Sequence, residues 1–197
     1  STHCISSAAS DVYKRQLSTT LVSESSTMSK INDLHPTFTR FAVEPYTPTI
    51  GAVIHDLDLR QPLDATTQAE LRQALAVHEV LFFRDQHITP QQQVDFTRSF
   101  GNVAEVKAFF PRLENHPEIE IVESTAERPK ASSNWHADIT WREQPPLGTS
   151  LYAQVIPASG GDTLWASLTA AYASLSPAFQ AYLETLTAVH TLSLIHI

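Results

Sequence analysis

The stretch "TPQQQVDFTRSFG" (89–101) constrains the fold most, because it carries both ends of a helix. Thr89 is a natural N-cap, Pro90 suits the first turn, Gln92 completes a capping box and Gly101 supplies the stop. Strand-like runs flank it. "VLFFRD" (80–85) reads as a short buried strand, and "EIEIVES" (118–124) alternates as a half-buried strand does. "FAVEPYTPTIGAVIHDLDL" (41–59) reads as short strands around Pro and Gly turns. "TTQAELRQALAVH" (66–78) predicts a second helix, with Thr67 and Glu70 at capping-box spacing and Leu71 and Leu75 on one face. "GTSLYAQVI" (148–156) predicts a strand, and "SGGDTLWAS" (159–167) a Gly-Gly turn entering another. "SPAFQAYLETL" (176–186) predicts a helix capped by Ser176, with Pro177 at its first position. Several strands with flanking helices point to an α+β or mainly β architecture.

The ends do not fit this pattern. "STHCISSAASDVYKRQ" (1–16) and "SLIHI" (193–197) resemble translated sequencing-adapter sequence, and 17–27 is Ser/Thr-rich. The expected division is therefore a disordered or artefactual leader over 1–27, one domain over 28–192 beginning at the sole methionine, Met28, and an artefactual tail over 193–197.

Chemistry concentrates in "NWHADITW" (134–141). Read as a strand, the stretch projects His136 and Asp138 to the same face with Ala137 opposite. Those are two of the three ligands of a two-histidine, one-carboxylate facial triad, a site that leaves three positions open and suits non-haem Fe(II). An ordinary strand with a hydrogen-bonded histidine accounts equally well for the tripeptide alone. His116-Pro117-Glu118 is a rival pair, in which the proline more simply turns the chain into the next strand. His35, His55, His78, His87 and His190 have no carboxylate two residues on. No GxSxG, HExxH, Walker loop, GxGxxG or CxxC pair occurs.

Composition narrows the partners. The formal charge is -8, and the few Lys and Arg form no basic stripe, which argues against nucleic acid and anionic membranes. No apolar run approaches the roughly 18–20 residues of a membrane span. A single cysteine, Cys4, excludes an internal disulfide framework and makes a reducing cytoplasm the expected compartment. A small-molecule substrate is the expected partner, and a homo-oligomer stays open.

Taken with its neighbours, the stretch says more. "NWHADITWREQPPLGTSLYAQVIPASGGDTLWASLTAAYASLSP" resembles the taurine dioxygenase-like (TauD/TfdA) family of Fe(II)/2-oxoglutarate dioxygenases, in which "NWH-x-D" is followed by "PP-x-G", a strand and "GGDTLW". "LFFRDQHITPQQQVDFTRSFG" and "GAVIHDLDLRQPLD" resemble that family's upstream segments, so the likeness runs from about 45 to 190. The resemblance implies a double-stranded β-helix (jelly-roll) core, truncated here, with flanking helices. It implies His136 and Asp138 as ligands of Fe(II), and Thr163 as a hydroxyl partner for a 2-oxoglutarate carboxylate, with O2 as the oxidant. The products would be succinate, CO2 and a hydroxylated substrate. Without the family, Thr163 reads as a β-former after a turn, Gly160 and Gly161 as turn residues, and Trp135 and Trp165 as core aromatics.

The family also requires a second histidine and an arginine far downstream. His190 and His196 stand too close to His136 to be that ligand, so the expected chain is an N-terminal fragment with little or no turnover of its own. Positions that face substrate in taurine-specific relatives fall loosely on Val106, Phe109 and Ser132. Phe109 and Phe110 suggest a less polar substrate, such as an alkylsulfonate, sulfate ester or aryloxyalkanoate, and Lys107 could meet its anionic head. The competing readings are a metal-free jelly-roll binding domain and a zinc-dependent hydrolase.

Overall fold

Gly51 sets the first hairpin of the chain. It lies at φ +89°, where an L side chain is strained, and a Cβ there would also sit tightly against the Phe82 ring at 3.3 Å. The Tyr46 N–H donates to the Gly51 carbonyl at 2.8 Å, closing the turn between β2 (Ala42–Pro45) and β3 (Ala52–His55), which pair antiparallel. The computed structural model describes residues 14–22, 36–103, 109–125, 127 and 135–191.

From β3 the chain crosses through α1 (Ala65–His78) to β4 (Leu81–Phe83), which pairs parallel with β3. A parallel return needs such a crossover, because two residues cannot reverse and re-enter the same edge. Leu71 and Ala74, both fully buried, form the inner face of α1, and Ala52, Val53 and Ile54 are buried on β3. The expected capping box at Thr67 and Glu70 is corrected. Asp64 is the N-cap, accepting the Thr67 N–H at 2.7 Å and the Thr67 hydroxyl at 2.8 Å. Glu70 reaches outward, accepting from the Thr39 N–H, the Thr39 hydroxyl and the Arg40 N–H. A carboxylate one residue before a helix satisfies its free N–H groups better than a threonine inside its first turn. Nor is β4 the buried strand expected, for all three of its residues are half-buried. Gln86 ties the following loop back, donating to the Leu57 carbonyl and accepting the Leu59 N–H, both at 3.0 Å.

A second sheet contains β1 (Lys14–Val22), β5 (Asn102–Val103), β6 (Arg112–Leu113), β7 (His116–Ser124) and β8 (Gly148–Val155). β1 pairs antiparallel with β7 through 14–18 and with β8 through 15–21. A strand has only two edges, so β7 and β8 flank it on opposite sides. The sequence predicts no element in this stretch. Its Leu, Thr and Val residues tolerate an extended path, but the strand owes its order to the two edges that it satisfies. α2 (Pro90–Arg98) covers the sheet, with Val94 packed on Ile119 of β7 and with Leu113, Ile121 and Tyr152 around them. Its capping box forms as read: Thr89 accepts the Gln92 N–H, and Gln92 accepts the Thr89 N–H at 2.8 Å.

Two short helices close the described chain: α3 (Leu168–Ala173), which the sequence does not predict, and α4 (Pro177–Leu183), which it does. Ser167 and Ser176 are their N-caps. No residue of either helix is buried. The Gly160–Gly161 turn is present, with φ of +77° and +69°, but 161–167 does not continue into a strand. The described residues divide into two compact units, one holding β1 with the described parts of 88–163, the other 36–87 with 164–190. Among the described residues no helix is long and apolar enough to cross a membrane. Met28, Cys4 and the 193–197 tail lie outside the described residues.

Candidate metal centre

His136 and Asp138 come together, though not by the route that the alternation predicts. Residues 135–137 have no regular structure and 138–141 form a turn, so the expected strand over "WHADITW" is corrected. In a strand the two side chains would share a face about two residues apart. Here the turn folds them further inward, and His136 Nε2 stands 3.2 Å from Asp138 Oδ1. Two cis ligands of one ion, each bound at about 2.1 Å, stand roughly 3.0 Å apart. The pair is an ion-pair contact whose separation is also compatible with a shared ion. Its side chains are 33% and 61% exposed, which leaves the ligand atoms approachable from solvent.

The turn is anchored at its second residue. Ile139 has φ +56° and is 7% exposed. A β-branched residue in the left-handed region is a real outlier, costing on the order of 1–3 kcal/mol. Burying the isoleucine side chain returns about 1.5–3 kcal/mol, enough to hold the residue there. The Arg142 N–H donates to the Ile139 carbonyl, and the Trp141 ring meets Phe109 edge-on with centroids 6.0 Å apart. Sequence reading missed Ile139, since nothing in a linear pattern marks a buried residue as left-handed.

The other candidates separate. The rival carboxylate Glu118 sits on β7 and pairs with Arg98 at 3.3 Å. Thr163 is exposed beyond the Gly160–Gly161 turn. Phe109 is 43% exposed, and its N–H donates to Glu120. Val106, Lys107 and Ser132 lie outside the described residues. The expectation of core aromatics is corrected: Trp135 is 70% exposed beside the pair, and Trp165 is 45% exposed with its edge against Phe82 at 5.4 Å. Among the described residues no group of three or more His, Cys, Asp or Glu side chains could hold a metal ion.

The family model for "Taurine catabolism dioxygenase TauD, TfdA family" matches residues 42–194. The chain belongs to the TauD/TfdA family. It is 35% identical to an alpha-ketoglutarate-dependent sulfate ester dioxygenase of Pseudomonas putida, over 76% of this chain and 49% of that protein. An (S)-phenoxypropionate/alpha-ketoglutarate-dioxygenase of Sphingobium herbicidovorans is 32% identical, over 77% of this chain and 54% of its own. Among solved structures, a putative alpha-ketoglutarate-dependent taurine dioxygenase from Burkholderia xenovorans superposes with a TM-score of 0.63 at 37% identity, covering 74% of this chain and 51% of that one. The chain thus spans about half the length of the curated relatives it matches. The matched segment contains both units' principal elements and the His136–Asp138 turn, while β1 lies outside it.

Proposed function

We propose that this chain is part of an Fe(II)/2-oxoglutarate-dependent dioxygenase that hydroxylates a small organic acid and releases succinate and CO2. The observation that carries the reading is the 3.2 Å approach of His136 and Asp138 within a family match. In it, His136 Nε2 and one Asp138 oxygen would be two of the groups that hold the iron. Bound Fe(II) supplies the redox chemistry by which O2 oxidises 2-oxoglutarate and substrate together. Thr163 donates its hydroxyl to a 2-oxoglutarate carboxylate, a charge-assisted bond. The remaining histidine and an arginine come, in this reading, from the half of the relatives that the chain does not span, which also completes a jelly-roll core around 28–192.

For the substrate we favour an alkylsulfonate, a sulfate ester or an aryloxyalkanoate. The named relatives act on a sulfate ester and a phenoxypropionate, and the half-exposed Phe109 ring beside Trp141 offers an apolar wall for such a tail. In the same reading Val106 and Ser132, which align loosely with substrate positions of taurine-specific relatives, would also contact substrate. The protein's share of catalysis is to hold the acid still against the metal face and to exclude water. Succinate release by the full-length protein against a panel of these three acid classes tests the reading. Release coupled to one class supports it, and no release with any of them refutes it. Anaerobic Fe(II) with 2-oxoglutarate should also give a weak visible charge-transfer band, which a zinc hydrolase would not give.

A further inference from the structure

We infer that Ile139 is a positioning residue that holds the Asp138 carboxylate against His136 by burying its own side chain in a left-handed turn. The inference rests on the metal reading of that pair. Ile139 follows Asp138 directly, so its φ sets the direction in which the chain leaves the ligand. At φ +56° the residue occupies a conformation that isoleucine avoids when free in solution. Burial of the side chain, 7% exposed, and the bond from the Arg142 N–H to the Ile139 carbonyl hold it there. The residues on either side are exposed or half-buried, and both ligand side chains are partly exposed. The Asp138 side chain, 61% exposed, has little packing of its own, and the buried residue beside it supplies the fixed point. This is how a site on an irregular segment acquires the precision usually supplied by a helix or strand.

The inference separates anchoring from simple stability. Ile139→Ala removes the buried side chain while the left-handed conformation stays unfavourable, so the residue relaxes and Asp138 swings from His136. Ile139→Val keeps a branched, buried side chain and so keeps the geometry. Ile119→Ala cuts an equally buried core residue on β7, away from the turn. The experiment is titration of the full-length protein with Mn(II), read by paramagnetic broadening of the histidine side-chain resonances. His136→Ala identifies the His136 signal. Ile139→Ala is expected to weaken Mn(II) binding about tenfold, the lower end for residues that orient a ligand. Ile139→Val should bind within about twofold of the parent by the same argument. Ile119→Ala should lower the melting temperature but leave binding unchanged in the cold. Parental Mn(II) affinity in Ile139→Ala, or an equal loss in Ile119→Ala, would overturn the inference. If Mn(II) leaves the His136 resonance of the parent untouched, the metal reading itself fails, which is a different result.

Discussion

The layer built by β2, β3, β4 and α1 and the turn at 138–141 are organised by opposite means. In the first, Leu71, Ala74, Ala52 and Ile54 are each buried, and polar side chains serve the backbone: Asp64 caps a helix and Gln86 ties a loop. In the second, a single isoleucine is buried and the polar groups, His136 and Asp138, face each other with solvent access. Packing is distributed in the layer and concentrated in the turn. Stability should therefore respond strongly to changes in the layer, and chemistry to changes in the turn.

The sharpest break between the two comes from the ligands. His136→Ala or Asp138→Ala is expected to abolish metal-dependent 2-oxoglutarate turnover in the full-length protein, while chemical denaturation of this chain shifts by no more than about 0.5 kcal/mol, as for an exposed site. Near-normal turnover in either variant would show that the iron sits elsewhere. Leu71→Ala should do the reverse, costing about 3 kcal/mol in a urea titration with Mn(II) affinity unchanged in the cold. A smaller effect is expected from Thr89→Ala, which removes one arm of the α2 capping box and should cost about 1 kcal/mol. The smallest is a pH effect. The hydrogen bonds from Arg60 hold Asp58 down to about 2, and the Thr67 N–H holds Asp64 below its ordinary value of 3.8. Both carboxyls are depressed in the folded state, so the stability they add is complete above pH 3.8 and drains as the pH falls through their folded values, about 2 for Asp58. Asp58→Asn with Asp64→Asn should flatten the acid limb of melting temperature against pH. An unchanged limb would assign it to other groups. Glu70 is one candidate: burial pushes its carboxyl up, but the bonds from Thr39 and Arg40 outweigh this and leave it low.

The elements that sequence reading finds are those whose signals are local. The α2 cap is complete within four residues, so Thr89 and Gln92 behave as their spacing says. The alternation over 118–124 survives as β7 because one buried face and a paired edge enforce it. The misreadings share a different cause. Thr67 and Glu70 have the right spacing for a cap, but Asp64 competes for the same N–H and wins by standing outside the helix. The Trp135–Trp141 alternation looks like a strand, yet no ladder partner takes it up among the described residues, and it forms a turn. Residues 14–22 carry little pattern and still form a strand, because β7 and β8 supply partners that no local rule contains.

The sequence by itself determined the family and the helices with complete caps, since each of these is written within a short span. Tertiary structure decided how the pair meets. The two-residue spacing of His136 and Asp138 is open to several backbone conformations, and the pair meets at 3.2 Å beside a buried Ile139 in the left-handed region. Burial depends on what the rest of the chain places around a residue, and that is information no eight-residue stretch can hold.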